Sequence, residues 1–370
     1  MANVFDYLEW RGDLTIEQDP FNVVDNLILS WLSYVELEDI MPNGICNVQV
    51  SIRDAAQRYF AKQKLEDRLK RKSLTKTSAL LFYNLMDCKR FADMKITNYV
   101  NQVSEELQQQ FSAMTVEVKP GLLFVAFRGT DDTIVGWRED FNMSFLPFVP
   151  SQQKAVEYVN ESLRDKDVSF IFGGHSKGGN LAAYSAIRCE QDIKKHIVAV
   201  YNNDGPGFLS DILNSAEYQE MLPKITTIVP ESSVIGMLLG HEESYEIVRS
   251  TQKGIMQHDA STWEVLGKEF VYLDSLSDGS KFLNHSFKQW LTEQNDESRK
   301  SFVNALFLLL EASGAKTTGE LYSLGFKNVT SARKAYSDMD AETKRMLLSI
   351  TKSLFDIMSA NLKSSLKKHR

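Results

Sequence analysis

The sequence predicts an α/β architecture: a mostly parallel central sheet with helices on both faces, a helical insertion, and a helical C-terminal extension. Three observations lead there. Short β-branched, apolar runs recur through the middle of the chain, helical patterns lie between several of them, and one run ends in a glycine-rich turn that opens a small-residue helix. Strands that alternate with helices build parallel sheets, because each crossover returns the chain to the same end of the sheet.

The elements follow in order. Residues 25–36 (DNLILSWLSYVE) read as an amphipathic helix with Asp25 as N-cap. Residues 52–110 are helical by pattern and heavily charged between Lys62 and Lys76, which predicts a helical insertion or lead-in without strands. Residues 115–118 and 122–127 are β-branched and apolar around Pro120-Gly121, a hairpin whose second strand is buried on both faces. Further buried strands are expected at 168–172, 197–201, 225–229 (closed by Pro230) and 245–249, with helices at 152–164 and 180–189. Beyond Leu283 the pattern is helical, with segments at 301–312, 318–324 and 341–366. The expected division is a main domain over residues 1–290 and an extension over 291–370.

Composition narrows the function classes. The 370 residues are 43% hydrophobic and 25% charged, with a net charge of -7, so a general nucleic-acid binder is not expected. Residues 341–370 differ, with seven Lys or Arg against two Asp or Glu, a local balance of +5. A solvated helix face is the plain reading; a peripheral contact with an acidic protein or an anionic membrane is the sharper one. Cys46, Cys88 and Cys189 form no CxxC pair, so neither a disulfide framework nor a zinc site is expected. The first residues carry Asp6, Glu9, Arg11 and Asp13 where a secretory leader is basic and then apolar. The apolar run at 305–310 is far short of a membrane span. A cytoplasmic protein is the expectation, with no metal or organic cofactor.

The chemistry is carried by Gly174-His175-Ser176-Lys177-Gly178, a G-x-S-x-G run between a buried strand and a helix. In an α/β-hydrolase fold this turn exposes a nucleophilic serine, and glycines two residues to either side leave it room. The helix it opens aims free N–H groups at developing negative charge. Ser176 is therefore the expected nucleophile. The backbone N–H groups of Lys177 and of Thr130, in Phe127-Arg128-Gly129-Thr130 after an earlier strand, are the expected oxyanion donors. Arg128 reads as a structural salt bridge, and the Lys177 side chain as outward-facing and solvated. Of six histidines, His258, in a loop past the last predicted strand, is the expected base, ahead of His241 and His285. Glu231, after the strand at 225–229, is the first candidate for the acid. Asp204, in Asn202-Asn203-Asp204-Gly205-Pro206-Gly207, is its rival, and Asp259 a third.

The F-R-G-T run, Trp137, Asp140 and the G-H-S-x-G-G run resemble the class 3 (fungal-type) lipases. That resemblance implies an oxyanion role for Thr130 and a lid over residues 131–145. Across nearly the full length the chain resembles more closely the bacterial DUF2974 or Mbeg1-like family of lipase-like proteins. The resemblance rests on the opening NVFDYLEWRGDL, GGHSKGGNLA, NNDGPGF, VPESSVIGMLL and QHDASTW. Two departures from typical lipases stand out: Lys177 in place of an apolar residue, and Glu231-Ser232-Ser233 where an Asp is usual. The implied activity is carboxylester hydrolysis through an acyl-enzyme on Ser176, acting on a small ester or lipid-like substrate. Acyltransfer or thioester cleavage with the same triad is the alternative, and a non-catalytic binding scaffold a further one. Asp131, Val234, Met237 and Leu238 are the candidate substrate contacts, though the last three read equally as the start of a core helix.

Overall fold

The structure is a computed structural model. It describes residues 1–70, 76–131, 133–243, 245–311, 333–334 and 336–368. The helix expected at 318–324 and His369 lie outside the described residues.

Among the described residues, nine strands form one sheet: β1 (Val50–Ser51), β2 (Lys95–Ser104), β3 (Gln109–Lys119), β4 (Leu122–Phe127), β5 (Ser169–His175), β6 (Ile197–Asn203), β7 (Ile225–Pro230), β8 (Tyr245–Val248) and β11 (Tyr272–Leu273). They are ordered β1-β2-β3-β4-β5-β6-β7-β8-β11. Between β8 and β11, the short β9 (Val265–Leu266) and β10 (Glu269–Phe270) pair with each other. From β4 to β8 every pairing is parallel. The pairings β1–β2, β2–β3, β3–β4 and β8–β11 are antiparallel. The sheet thus has the expected parallel centre but is mixed, not purely parallel: strands joined by tight turns, as in β2-β3-β4, can only run back beside each other.

The described helices are α1 (Val4–Arg11), α2 (Val23–Leu32), α3 (Ile52–Lys62), α4 (Leu65–Leu69), α5 (Thr77–Leu85), α6 (Ile134–Asn142), α7 (Pro150–Ser162), α8 (Lys177–Arg188), α9 (Gln191–Lys194), α10 (Ser210–Leu213), α11 (Ala216–Met221), α12 (Asp278–Glu293), α13 (Asp296–Glu311) and α14 (Ala341–Lys368). They cover both sheet faces. In β4 the alternation is direct: Phe124 and Ala126 pack with Leu27, Ile28 and Leu81, while Val125 and Phe127 pack with Tyr158, Leu181 and Ala182. Successive strand side chains point to opposite faces, so a central strand covered twice must be apolar throughout.

Two expectations fail in this region. The helix expected at 25–36 is α2, and its N-cap is Asn22, whose Oδ1 accepts from the Val24 and Asp25 amides at 2.9 and 3.2 Å. Asp25 closes the capping box from N3 and forms a fully buried ion pair with Arg90. The lead-in at 52–110 is not helical to its end, because β2 and the start of β3 lie inside it. The β2 register shifts between Thr97 and Val100, where Asn98 has φ 52°. That bulge places Ile96 and Tyr99 on one face of the sheet and Val100 on the other. Their spacing in sequence then mimics a helical stripe.

At the C-terminal end, α13 packs on α6: Val303 and Phe307 join Ile134 and Phe145 in one apolar cluster. Helix α14 packs along α12, with Ile350 and Ile357 against Trp290. Among the described residues, no helix is long and apolar enough to cross a membrane.

Candidate active site

Ser176 sits between the last residue of β5 and the first of α8, with φ 59° and ψ -134°. That conformation is costly for a residue with a side chain and persists only where its surroundings enforce it. The enforcement is visible at the glycines. A Cβ on Gly174 would lie 2.2 Å from the Gly178 backbone, and one on Gly178 would lie 2.2 Å from the Phe127 carbonyl oxygen. One on Gly179 would lie 2.1 Å from Asn202 Oδ1. The strand, turn and helix approach too closely for any side chain, and the serine is left at the sharp point between them.

The loop leaving β4 lies against this turn. A Cβ on Gly129 would be 2.4 Å from the His175 carbonyl oxygen and 3.1 Å from Ser176 Cβ. Arg128 is structural, as expected: its guanidinium donates to Asn101 at 2.8 Å and to Asp131 at 3.1 Å. The Asp131 carboxylate also accepts from the Thr133 amide and hydroxyl, at 2.8 and 2.5 Å. It is committed to shaping the turn into α6. Thr130 donates its hydroxyl to Asp140 Oδ2 at 2.5 Å. Burial pushes the Asp140 carboxyl up to about 6, against the pull of the Lys177 charge and the Thr130 hydrogen bond.

His258 Nδ1 lies 2.6 Å from Asp204 Oδ2. Asp204 directly follows β6, with φ 52°, and is fully buried. Its Oδ1 accepts from the Ser233 hydroxyl at 2.5 Å and the Gly236 amide at 3.2 Å. The expected pairing of Glu231 with His258 is absent. Glu231 faces the Gln257 side-chain amide at 3.4 Å, and its backbone N–H bonds to Val248 of β8. The reason lies in strand order. β6 adjoins the serine strand β5 and β7 lies one place further out, so the acid beyond β6 is the nearer one. Asp259 is no partner either, since its Oδ1 accepts from the Ser261 amide and hydroxyl at 3.0 and 2.7 Å. His241 is held elsewhere, on Glu243 at 2.9 Å.

His175 packs against His258. Its ring lies 4.6 Å from that of His258, and its Nε2 is 2.8 Å from the His258 carbonyl oxygen. A carbonyl only accepts, so Nε2 carries the proton and Nδ1 accepts from Tyr34 Oη at 3.1 Å. Burial first, then the neighbouring His258, holds the His175 pKa well below its usual value, and the ring stays neutral.

One further sequence expectation is corrected, and of the two readings of Met237 the core one is seen. The Lys177 side chain is not solvated: it is 1% exposed and donates to Glu139 Oε2 at 2.9 Å. Met237 is a core residue, packed with Val229 and Leu276. Val234 and Leu238 are half-buried on the loop whose Gly236 amide bonds Asp204. Sequence reasoning missed Tyr34, Gln110 and Glu139. The Glu139-Asp140 pair beside Trp137 was the visible signal, since two acids on a helix that must close over a core need partners. Among the described residues, no cluster of three or more His, Cys, Asp or Glu is placed to hold a metal ion.

A search of curated proteins finds no match. The Rhizomucor miehei lipase propeptide complex is similar at 16% identity and a TM-score of 0.36, covering 61% of this chain and 76% of that one. M37 lipase is similar at 15% identity and a TM-score of 0.35, covering 57% of this chain and 68% of that one. The family model described as Mbeg1-like matches residues 85–308, more than half of the sequence, and the chain belongs to the Mbeg1-like family.

Proposed function

We propose that this protein is a serine hydrolase that cleaves carboxylic esters through an acyl-enzyme on Ser176. The observation that carries the reading is the 2.6 Å contact between His258 Nδ1 and Asp204 beside a serine held at φ 59°. Asp204 takes the acid role in place of Glu231. Its carboxylate keeps the His258 proton on Nδ1, which leaves Nε2 as the acceptor for the Ser176 proton. The Ser176 oxygen attacks the ester carbonyl, and the negative charge on the carbonyl oxygen falls to the backbone N–H groups of Thr130 and Lys177. Lys177 is the first residue of α8, where helix N–H groups have no partner within the helix. His258 then protonates the leaving alcohol, and water, activated by the same imidazole, releases the acid. Half-buried Val234 and Leu238 lie on the loop that also bonds Asp204, and we assign them to contact the acyl chain. Asp131 and Met237 are left out of that assignment because each is already committed.

An alkyl fluorophosphonate tests the reading. Wild type takes one label per chain, Ser176→Ala takes none, and a panel of aryl esters of graded acyl length reports turnover. A well-folded wild type that neither labels nor turns over any ester refutes it.

A further inference from the structure

The Lys177 ammonium and the Glu139 carboxylate are both buried, at 1% and 0% exposure. Lys177 Nζ and both Glu139 carboxylate oxygens are hydrogen-bonded. Lys177 Nζ donates to Glu139 Oε2, to the Gln110 carbonyl oxygen and to Gln110 Oε1, each at 2.9 Å. Glu139 Oε2 also accepts from the Gln110 amide at 3.0 Å, and Oε1 from the Ser151 amide at 2.8 Å, in the first turn of α7. One ion pair therefore ties together β3, α6, α7 and α8.

Two of those elements bear on the oxyanion. α8 begins with Lys177, whose own backbone N–H is one assigned donor. α6 carries Asp140, next to Glu139, and Asp140 holds the Thr130 hydroxyl; Thr130 supplies the other donor. Asp140 Oδ1 is also 3.9 Å from Lys177 Nζ. The two donor residues are thus fastened through their side chains to consecutive residues of one helix.

A buried ion pair is a poor way to gain stability. Removing both charges from water is unfavourable, and apolar residues of similar volume usually serve as well. What the pair adds is direction, since three N–H bonds hold the Lys177 ammonium at one point. We propose that the Lys177–Glu139 pair is a positioning device that fixes the spacing of the two oxyanion-hole amides. The inference rests on the serine-hydrolase reading above.

The test uses the full chain and three measurements: the rate of fluorophosphonate labelling, its stoichiometric endpoint, and kcat and KM for an aryl ester. Lys177→Met combined with Glu139→Gln removes both charges and keeps the volume. The expected result is an endpoint of one label per chain, reached about 10- to 100-fold more slowly. kcat falls by the same factor and KM is unchanged, because the bound ester carries no oxyanion and the charge develops only on the way to the tetrahedral intermediate. Structural damage alone would lower the endpoint and leave the rate of the labelled fraction as in wild type; that result overturns the proposal, as does a wild-type rate with a full endpoint. Should the double variant fail to fold, Gln110→Leu decides. It removes one of the three acceptors and keeps the ion pair, and about a 3- to 10-fold slower rate is expected with a full endpoint. A wild-type rate there overturns the proposal. A wild type that does not label brings down the hydrolase reading itself, which is a different result from a variant that labels normally.

Discussion

Replacing Asp204 by Asn separates the two candidate acids and tests how the site works. Asp204 Oδ1 accepts from the Ser233 hydroxyl and the Gly236 amide, so an Asn at 204 must place its carbonyl oxygen there. Its NH2 group then faces His258 Nδ1, where Oδ2 lies at 2.6 Å. An N–H facing Nδ1 forces the proton onto Nε2, the tautomer that cannot accept from Ser176. In Ser-His-Asp sites that wrong tautomer lowers kcat by about 10^4, or about 5.5 kcal/mol of transition-state stabilisation. Glu231→Gln changes only a 3.4 Å contact with Gln257, and no more than about a threefold change is expected. The assay is kcat/KM on an aryl ester with phosphonate labelling rates, using protein whose thermal transition matches wild type. An active Asp204→Asn beside an inactive Glu231→Gln would refute the assignment of the acid and the strand-order argument behind it.

Three other outcomes follow from the packing and charges described. Gly178→Ala would put a Cβ 2.2 Å from a backbone carbonyl and should lower stability by about 3 kcal/mol, whatever alanine adds in helix propensity. Gly279→Ala, with nothing within 4 Å, should raise stability by about 0.5 kcal/mol; denaturant melts of both variants check the pair. Tyr34→Phe removes the donor to His175 Nδ1, leaves a buried acceptor unpaired, and should cost about 1–2 kcal/mol by the same melts. The last outcome concerns Glu243. Burial alone would push its carboxyl up, but the hydrogen bond and charge of His241, with hydrogen bonds from Thr227 and Tyr218, outweigh that and hold it at about 2, against an ordinary 4.5. A depressed carboxyl stabilises the fold in full above its ordinary pKa and loses that contribution as pH falls toward the folded value. Wild type should therefore lose about 3 kcal/mol between pH 4.5 and 2 that Glu243→Gln does not lose. Equal slopes in the two proteins would refute it.

The sequence by itself determined the elements whose signals are local. The strand–turn–helix around Ser176 was legible because its glycines answer a steric demand within five residues. The hairpin of β3 and β4 was legible because Pro120-Gly121 separates two apolar runs. The place of His258, in the loop beyond the last of the parallel strands, was legible, but its contact with Asp204 was legible only as the second choice. β2 was not legible, because the bulge at Asn98 swaps the faces of its apolar residues and gives a helical spacing to an extended strand. Only the tertiary structure decided which acid meets His258. Glu231 and Asp204 each directly follow a parallel strand, and nothing local tells that β6 lies beside β5 while β7 lies one strand away. The same holds for Lys177. A lysine after the serine reads as solvated until a glutamate from another helix, 38 residues earlier, is folded against it. Burial of a charge depends on where its partner arrives, and that is set by how helices pack across the sheet, at distances along the chain that no local pattern records.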